Sequence, residues 1–335
     1  MKQFIKRLFA VISIPLSIVL FFSILYVKRD VYYDFRTYKN YSWKYNFQVL
    51  GDVSTKKLLN SHTNYNTFIF GSSRTVSLYA CYLQSILKNS KVFHYGSWNE
   101  TIGGIYEKLK LLDSLGYHLD NVIFYLDTDF TFLGDGKCRP NDYYLFTHLK
   151  KFNYYFGHYE AFFSDLDLDK FKILLGQKVE GEIFPNWQSD TITNDYYHCS
   201  DSLIIAYGKR NLSKAYYHKI DSLTKVGFLY KRSDAQKFKE KQISDPEIEM
   251  INGILGILNK HHSKYYAIIT PLYDQLKFNE ADMQILKKSF GNNLYDFSGI
   301  NGFTEDKLNY PDKVHFTQYV SRQILDSIIK PHSLY

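Results

Sequence analysis

The sequence predicts an α/β protein: a parallel sheet with helices on both faces. Short apolar runs of strand length recur along the chain, at Thr67–Phe70, Asn121–Leu126 and Tyr265–Thr270. Segments with helical spacing separate them, and strands that alternate with helices imply parallel pairing through crossover connections. Hydrophobic residues make up 45% of the 335-residue chain, enough for a sizeable core in one large domain or two smaller ones.

The chain opens on Leu8–Val27, LFAVISIPLSIVLFFSILYV, twenty residues without a charge. That length crosses a bilayer as a helix, and Pro15 is tolerated in such a helix. Lys2, Lys6 and Arg7 precede it, and Lys28 and Arg29 follow with Asp30 partly offsetting them. The bias predicts a cytoplasmic stub at 1–7, a single-pass anchor at 8–27 and a body outside the membrane. A cleaved signal peptide is the rival, but its apolar region is usually shorter, and no A-x-A-like site is evident. A buried core helix fits less well, because every face is apolar.

A polar and aromatic approach segment follows at 28–64. The strand Thr67–Phe70 leads into a helix over Arg74–Lys88. Lys91–Tyr95 is a second strand, and Ile102–Leu115 a helix ended by Gly116. Asn121–Leu126 is the third strand. Residues 131–246 then break the rhythm with Asn, Asp, Tyr and Gly clusters and a few helical stretches such as Arg210–Val226. This is too long for a plain loop and reads as an insertion within a domain spanning 65–335. The alternation resumes with a helix at Glu247–Lys260, the strand Tyr265–Thr270, a helix at Ala281–Phe290, a strand at Asn293–Phe297 and an amphipathic helix at Thr317–Ile329.

The net charge of +7 invites a nucleic-acid or anionic-membrane reading. The basic residues are dispersed, however, and no nucleic-acid-binding motif occurs, so no nucleic-acid partner is expected. The 31 Tyr and 26 Phe place many aromatics half-buried, where packing explains them better than sugar stacking does, including Tyr154–Tyr159 and Tyr196–Tyr197. The three cysteines form no CxxC, which argues against structural zinc. Outside the cell, Cys138 and Cys199 in the insertion can pair and leave Cys81 free and buried.

The chemistry concentrates in two places. The stretch FIFGSSRTVSLY, Phe68–Tyr79, sets Ser72 and Ser73 at the carboxyl end of a strand, where parallel α/β sheets form their sites. Exposed N–H groups and the helix dipole there favour an oxyanion, although helix capping by either serine is the plainer explanation. Position 75 is Thr, so the stretch is not a GxSxG elbow. Near the other end, YPDKVHFTQYVSRQIL carries Asp312 and His315 just ahead of a helix. A nucleophilic serine needs a base, and that imidazole needs a group to fix its tautomer. Asp-x-x-His supplies both from one turn.

Together these blocks resemble the SGNH/GDSL hydrolase superfamily. Gly71-Ser72-Ser73 is similar to the Gly-Asp-Ser block and places the nucleophile at Ser73. Asp312-Lys-Val-His315 is similar to the terminal Asp-x-x-His block. Gly96, after the second strand, stands where the family carries its oxyanion glycine. The resemblance covers about Tyr65–Phe130 and Asp245–Pro331 and implies a flavodoxin-like three-layer α/β/α fold with no cofactor and no metal. Two departures stand out. Ser72 replaces the Asp of the first block. The third block, usually Gly-x-Asn-Asp, reads Leu126-Asp-Thr-Asp129 and lacks the oxyanion-hole Asn, leaving Asn99, Thr128 or a backbone N–H as substitutes. Loss of one such donor costs on the order of a hundredfold in rate.

With its anchor, the chain is similar to membrane-bound SGNH proteins of bacterial envelope modification, including the DltD-like proteins. That resemblance implies a membrane-bound O-acyltransferase partner, a cell-surface glycan substrate and O-acyl transfer, with acetyl the expected group. On this expectation Ser73 attacks an acyl carbonyl, His315 takes its proton, Asp312 orients His315, and the N–H groups of Ser73 and Gly96 hold the oxyanion. A non-catalytic binding or assembly role in an envelope export complex, and an ordinary secreted-side esterase, are the alternatives. Arg74 either binds an anionic group or pairs with a carboxylate on the helix face, and pairing is the expectation. Asp165, Asp167 and Asp169 lack the offsets of a calcium loop and read as a solvated helix start. His261-His262 sits at a helix carboxyl end, where the dipole favours it.

Overall fold

The computed structural model describes residues 2–38, 50–132, 151–177 and 201–330, with four single positions between them. Helix α1, Lys2–Arg29, is followed by α2, Leu50–Leu59, within the approach segment. The body then runs β1 (Thr67–Phe70), α3 (Ala80–Ile86), β2 (Val92–His94), α4 (Ile102–Ser114) and β3 (Asn121–Leu126). The insertion contributes α5 (Lys151–Phe163), α6 (Leu168–Leu175), α7 (Asp201–Ala206), α8 (Lys214–Lys225) and the two-residue β4 (Lys237–Phe238). The chain closes with α9 (Asp245–Lys260), β5 (Lys264–Ile269), β6 (Leu276–Lys277), α10 (Glu280–Phe290), β7 (Leu294–Asp296), α11 (Gly302–Glu305) and α12 (Gln318–Ile328).

Five strands form one parallel sheet in the order β2-β1-β3-β5-β7. Counted by chain order, this is 2-1-3-4-5, an open doubly wound arrangement whose ligands bind beyond the carboxyl ends of the strands. The strands read as continuous apolar runs because both faces are covered. On one face Phe68, Phe70, Phe124 and Ile269 pack with α4, α9 and α10. On the other, Ile69, Ile123, Tyr125 and Ile268 pack with α3, α8 and α12.

Local signals set the boundaries. A capping box of Ser244 and Glu247, with Pro246 in the first turn, starts α9. Asn279 caps α10 by accepting from the Asp282 amide. Gly116, at φ +75°, turns the chain out of α4.

The helix expected over Arg74–Lys88 is instead two pieces. A 3-10 turn spans Ser73–Ser77, and α3 begins only at Ala80. Tertiary contacts override helical spacing here. Arg74, Thr75, Val76 and Ser77 are all buried, and the Thr75 and Ser77 hydroxyls donate to the carbonyls of Ser72 and Arg74.

A third apolar cluster joins the start of the chain to the insertion. Tyr26, 2% exposed, packs against Phe162, Phe163 and Tyr159, while the Phe22 ring meets Phe171 of α6. Arg29 Nε donates to the Leu174 carbonyl at 2.9 Å. The last two turns of α1 therefore contact the insertion helices through Phe22, Tyr26 and Arg29. Beside them, Lys56 bridges Asp34 and Asp52 at 2.7 and 3.2 Å, and Tyr154 donates to both carboxylates. The aromatics Tyr154 and Tyr159 thus serve packing and hydrogen bonding.

Cys81 is disulfide-bonded, which corrects the expectation of a free, buried thiol left over from a Cys138–Cys199 pair. Its helix α3 packs against α7 and so faces the insertion. Cys138, Cys199, Tyr196 and Tyr197 lie outside the described residues.

Candidate active site

The carboxyl edge of the sheet gathers the two chemistry-bearing stretches. Chain geometry at the end of β1 requires glycine: Gly71 has φ +144°, and a Cβ there would lie 2.8 Å from Tyr125 Cβ. The next residue, Ser72, is buried and accepts the Arg74 amide as the cap of the 3-10 turn. Ser73 opens that turn and is only partly buried.

Ser73 Oγ lies 3.0 Å from His315 Nε2, across 242 residues of sequence. His315 Nδ1 faces Asp312, at 3.0 and 3.2 Å from its two oxygens. Asp312 Oδ1 also accepts the amides of Val314 and His315 at 2.7 and 2.8 Å. Burial pushes the Asp312 carboxyl up, but the His315 contact and these two amides outweigh it and hold the group below the usual carboxylate range. An ionised Asp312 fixes the Nδ1–H tautomer of a neutral His315, which leaves Nε2 to accept from Ser73. The structure brings the three residues together in the order serine, imidazole, carboxylate.

Gly96 lies against the same turn. A Cβ on it would be 2.6 Å from Thr75 Oγ1, 2.9 Å from His94 Cε1 and 3.2 Å from the Gly71 carbonyl oxygen, so only glycine fits. Among the described residues, neither the Ser73 nor the Gly96 amide finds an acceptor. Asn99 occupies the turn after β2 at φ +50°, half-buried, with no side-chain partner among the described residues. Thr128, at the third-block position of the missing Asn, is fully buried with an unpartnered hydroxyl. His94 is buried, and burial outweighs its backbone contact with Thr75 to lower its pKa to about 4, so the imidazole is neutral.

The third block has a role that the sequence did not display. Asp127, fully buried, accepts from the hydroxyls of Ser72 and Thr270 and lies 2.9 Å from Arg74 Nη1. Asp129 takes Arg74 in a two-pronged pair at 2.7 and 2.8 Å. Burial opposes the Arg74 charge, but the two carboxylates more than compensate and raise its pKa. Arg74 does pair with carboxylates, but they come from the end of β3 rather than from its own helix face. The acidic spacing of LDTD was the available signal.

Elsewhere, Asp167 caps α6 by accepting the Lys170 amide, and His261 pairs with Asp113 at 2.7 Å beside the end of α9. Among the described residues, no cluster of three or more metal-ligating side chains occurs. No protein-family model matches the chain, and no curated protein matches it either.

Proposed function

We propose that the chain is a membrane-anchored SGNH-type serine O-acyltransferase or esterase acting on a cell-envelope polysaccharide. The observation that carries this reading is the 3.0 Å contact of Ser73 with His315, itself oriented by Asp312. The 2-1-3-4-5 strand order and the position of Ser73 beyond β1 support the flavodoxin-like SGNH fold.

In the first half-reaction, Ser73 Oγ attacks the acyl carbonyl as His315 Nε2 takes its proton. The tetrahedral oxyanion is received by the Ser73 and Gly96 amides, with the Thr128 hydroxyl as third donor. His315 then protonates the leaving oxygen, and an acyl-Ser73 ester remains. In the second half, His315 removes the proton of an acceptor hydroxyl, which attacks the ester, and returns it to Ser73 Oγ as the acyl–Ser73 bond breaks. Water in that step gives hydrolysis; a sugar hydroxyl gives transfer.

Residues Val11–Arg29 of α1 form a helix long and apolar enough to cross a membrane. The burial of Tyr26 in the body supports an uncleaved anchor over a signal peptide, because cleavage would strip part of a core. A disulfide at Cys81 supports an oxidising compartment for the body. A membrane-bound O-acyltransferase partner remains part of the proposal through the family resemblance. A non-catalytic assembly component is favoured by the missing third-block Asn and by the commitment of the neighbouring carboxylates to Arg74.

Full-length protein in detergent micelles, given p-nitrophenyl acetate with and without an acceptor oligosaccharide, tests the reading. Release of p-nitrophenol that depends on Ser73 and His315 is expected, with acetylated oligosaccharide if transfer dominates. Release unaffected by Ser73→Ala would reject the serine mechanism.

A further inference from the structure

We propose that Arg74 is the positioning residue of this site: it holds the loop that carries His315 within reach of Ser73. Asp127 and Asp129 serve to aim it. The proposal rests on the catalytic reading of Ser73 and His315.

The loop from Pro311 to Thr317 has no helix or strand of its own. His315 therefore depends on point contacts for its placement. Phe316 anchors one side by packing on Tyr125 in the core, and the Thr317 amide donates to the Asn309 carbonyl at 2.8 Å. On the other side, Arg74 Nε donates to the Val314 carbonyl at 2.8 Å. Val314 directly precedes His315, and its amide is held by Asp312. A shift of this peptide moves the imidazole and its orienting carboxylate together.

Arg74 sits next to Ser73 in the chain, so one side chain links the nucleophile turn to the base loop. Its remaining donors go to the end of β3. The Asp129 pair fixes the plane of the guanidinium, and the Asp127 contact fixes its reach. Asp127 is itself held by the Ser72 and Thr270 hydroxyls, and its amide donates to Thr131. Arg74 is 3% exposed. A buried charge of this kind is poor value for stability alone, since apolar packing stabilises as well or better. What it supplies is direction: a planar fork with donors along three lines, which a lysine head cannot reproduce.

The test is a double-mutant cycle on full-length protein in detergent, reading the rate at which a fluorophosphonate probe labels Ser73. We expect Arg74→Lys to slow labelling about tenfold while the protein still melts cooperatively. In a His315→Ala background the same change should alter the rate by less than about twofold, because the effect passes through His315. With p-nitrophenyl acetate, the loss in Arg74→Lys should fall on kcat and leave KM within about twofold. Asp129→Asn, at a partly exposed carboxylate, should give the same non-additivity at smaller amplitude and covers the case in which Arg74→Lys does not fold. Equal slowing in both backgrounds, or no slowing, overturns the proposal. Wild-type protein that fails to label at Ser73 would reject the catalytic reading itself, and this inference with it.

Discussion

The Ser72 hydroxyl donates to Asp127, a carboxylate at the end of the neighbouring strand, while the adjacent Ser73 hydroxyl faces His315. Two consecutive serines thus have opposite duties. Ser72 is committed to a buried carboxylate, and only Ser73 is placed to lose its proton to a base.

That division predicts different outcomes for two similar substitutions. Ser73→Ala should abolish probe labelling with little change in melting temperature. Ser72→Ala leaves Asp127 short of a donor in a buried site and should cost about 1–3 kcal/mol of stability, measured by urea unfolding, while Ser73 still labels.

Thr128 offers a test of the third oxyanion donor. A buried hydroxyl without a partner is costly unless a ligand uses it. Thr128→Val keeps the shape and removes the donor, and it should lower kcat for p-nitrophenyl acetate about tenfold or more while stability stays the same or rises. Asn99→Ala, at a half-buried turn, should leave kcat within about twofold. The opposite ranking would move the donor to Asn99.

His94 gives the fold a pH dependence. Its folded pKa of about 4 lies below the ordinary value of 6.5. Above 6.5 neither state binds the proton, and no stability is lost. As pH falls from 6.5 toward 4, the unfolded chain gains a proton that the folded chain refuses, and stability drops by up to about 3 kcal/mol. Urea unfolding of His94→Gln between these limits should lack that share of the decline.

Packing of α1 against α5 and α6 predicts where the body begins. A truncation starting at Phe22 should melt cooperatively. One starting at Tyr32 loses Tyr26 from its cluster and should melt at a lower temperature. Tyr26→Ala in the full chain should cost about 3 kcal/mol. Identical melting of the two truncations would show that α1 is a detached anchor.

Much of this was legible in the sequence because the signals were local. Thr67–Phe70 and Asn121–Leu126 are aromatic and β-branched runs with turn residues at their edges, and both are strands over those residues. The helix expected from Glu247 begins two residues earlier, at Asp245, behind the Ser244 cap. The Ser73, Asp312 and His315 set was legible through residue type and register. What escaped depends on pairing across distance. Nothing near Arg74 reveals that its carboxylates lie just past β3, Asp129 being 55 residues on. The break between Ser77 and Ala80 comes from burial of Arg74 to Ser77, which helical spacing does not report. The tie between Tyr26 and Phe162 joins α1 to an insertion whose composition carries no strong period.

The central claim is that Ser73 is a nucleophile driven by His315. Its most direct measurement is fluorophosphonate labelling of the folded full-length protein, with the adduct mapped by mass spectrometry. The account predicts one adduct, on Ser73, absent in Ser73→Ala and formed at least about a hundredfold more slowly in His315→Ala. An adduct at another residue, or none on protein shown to be folded, would contradict it.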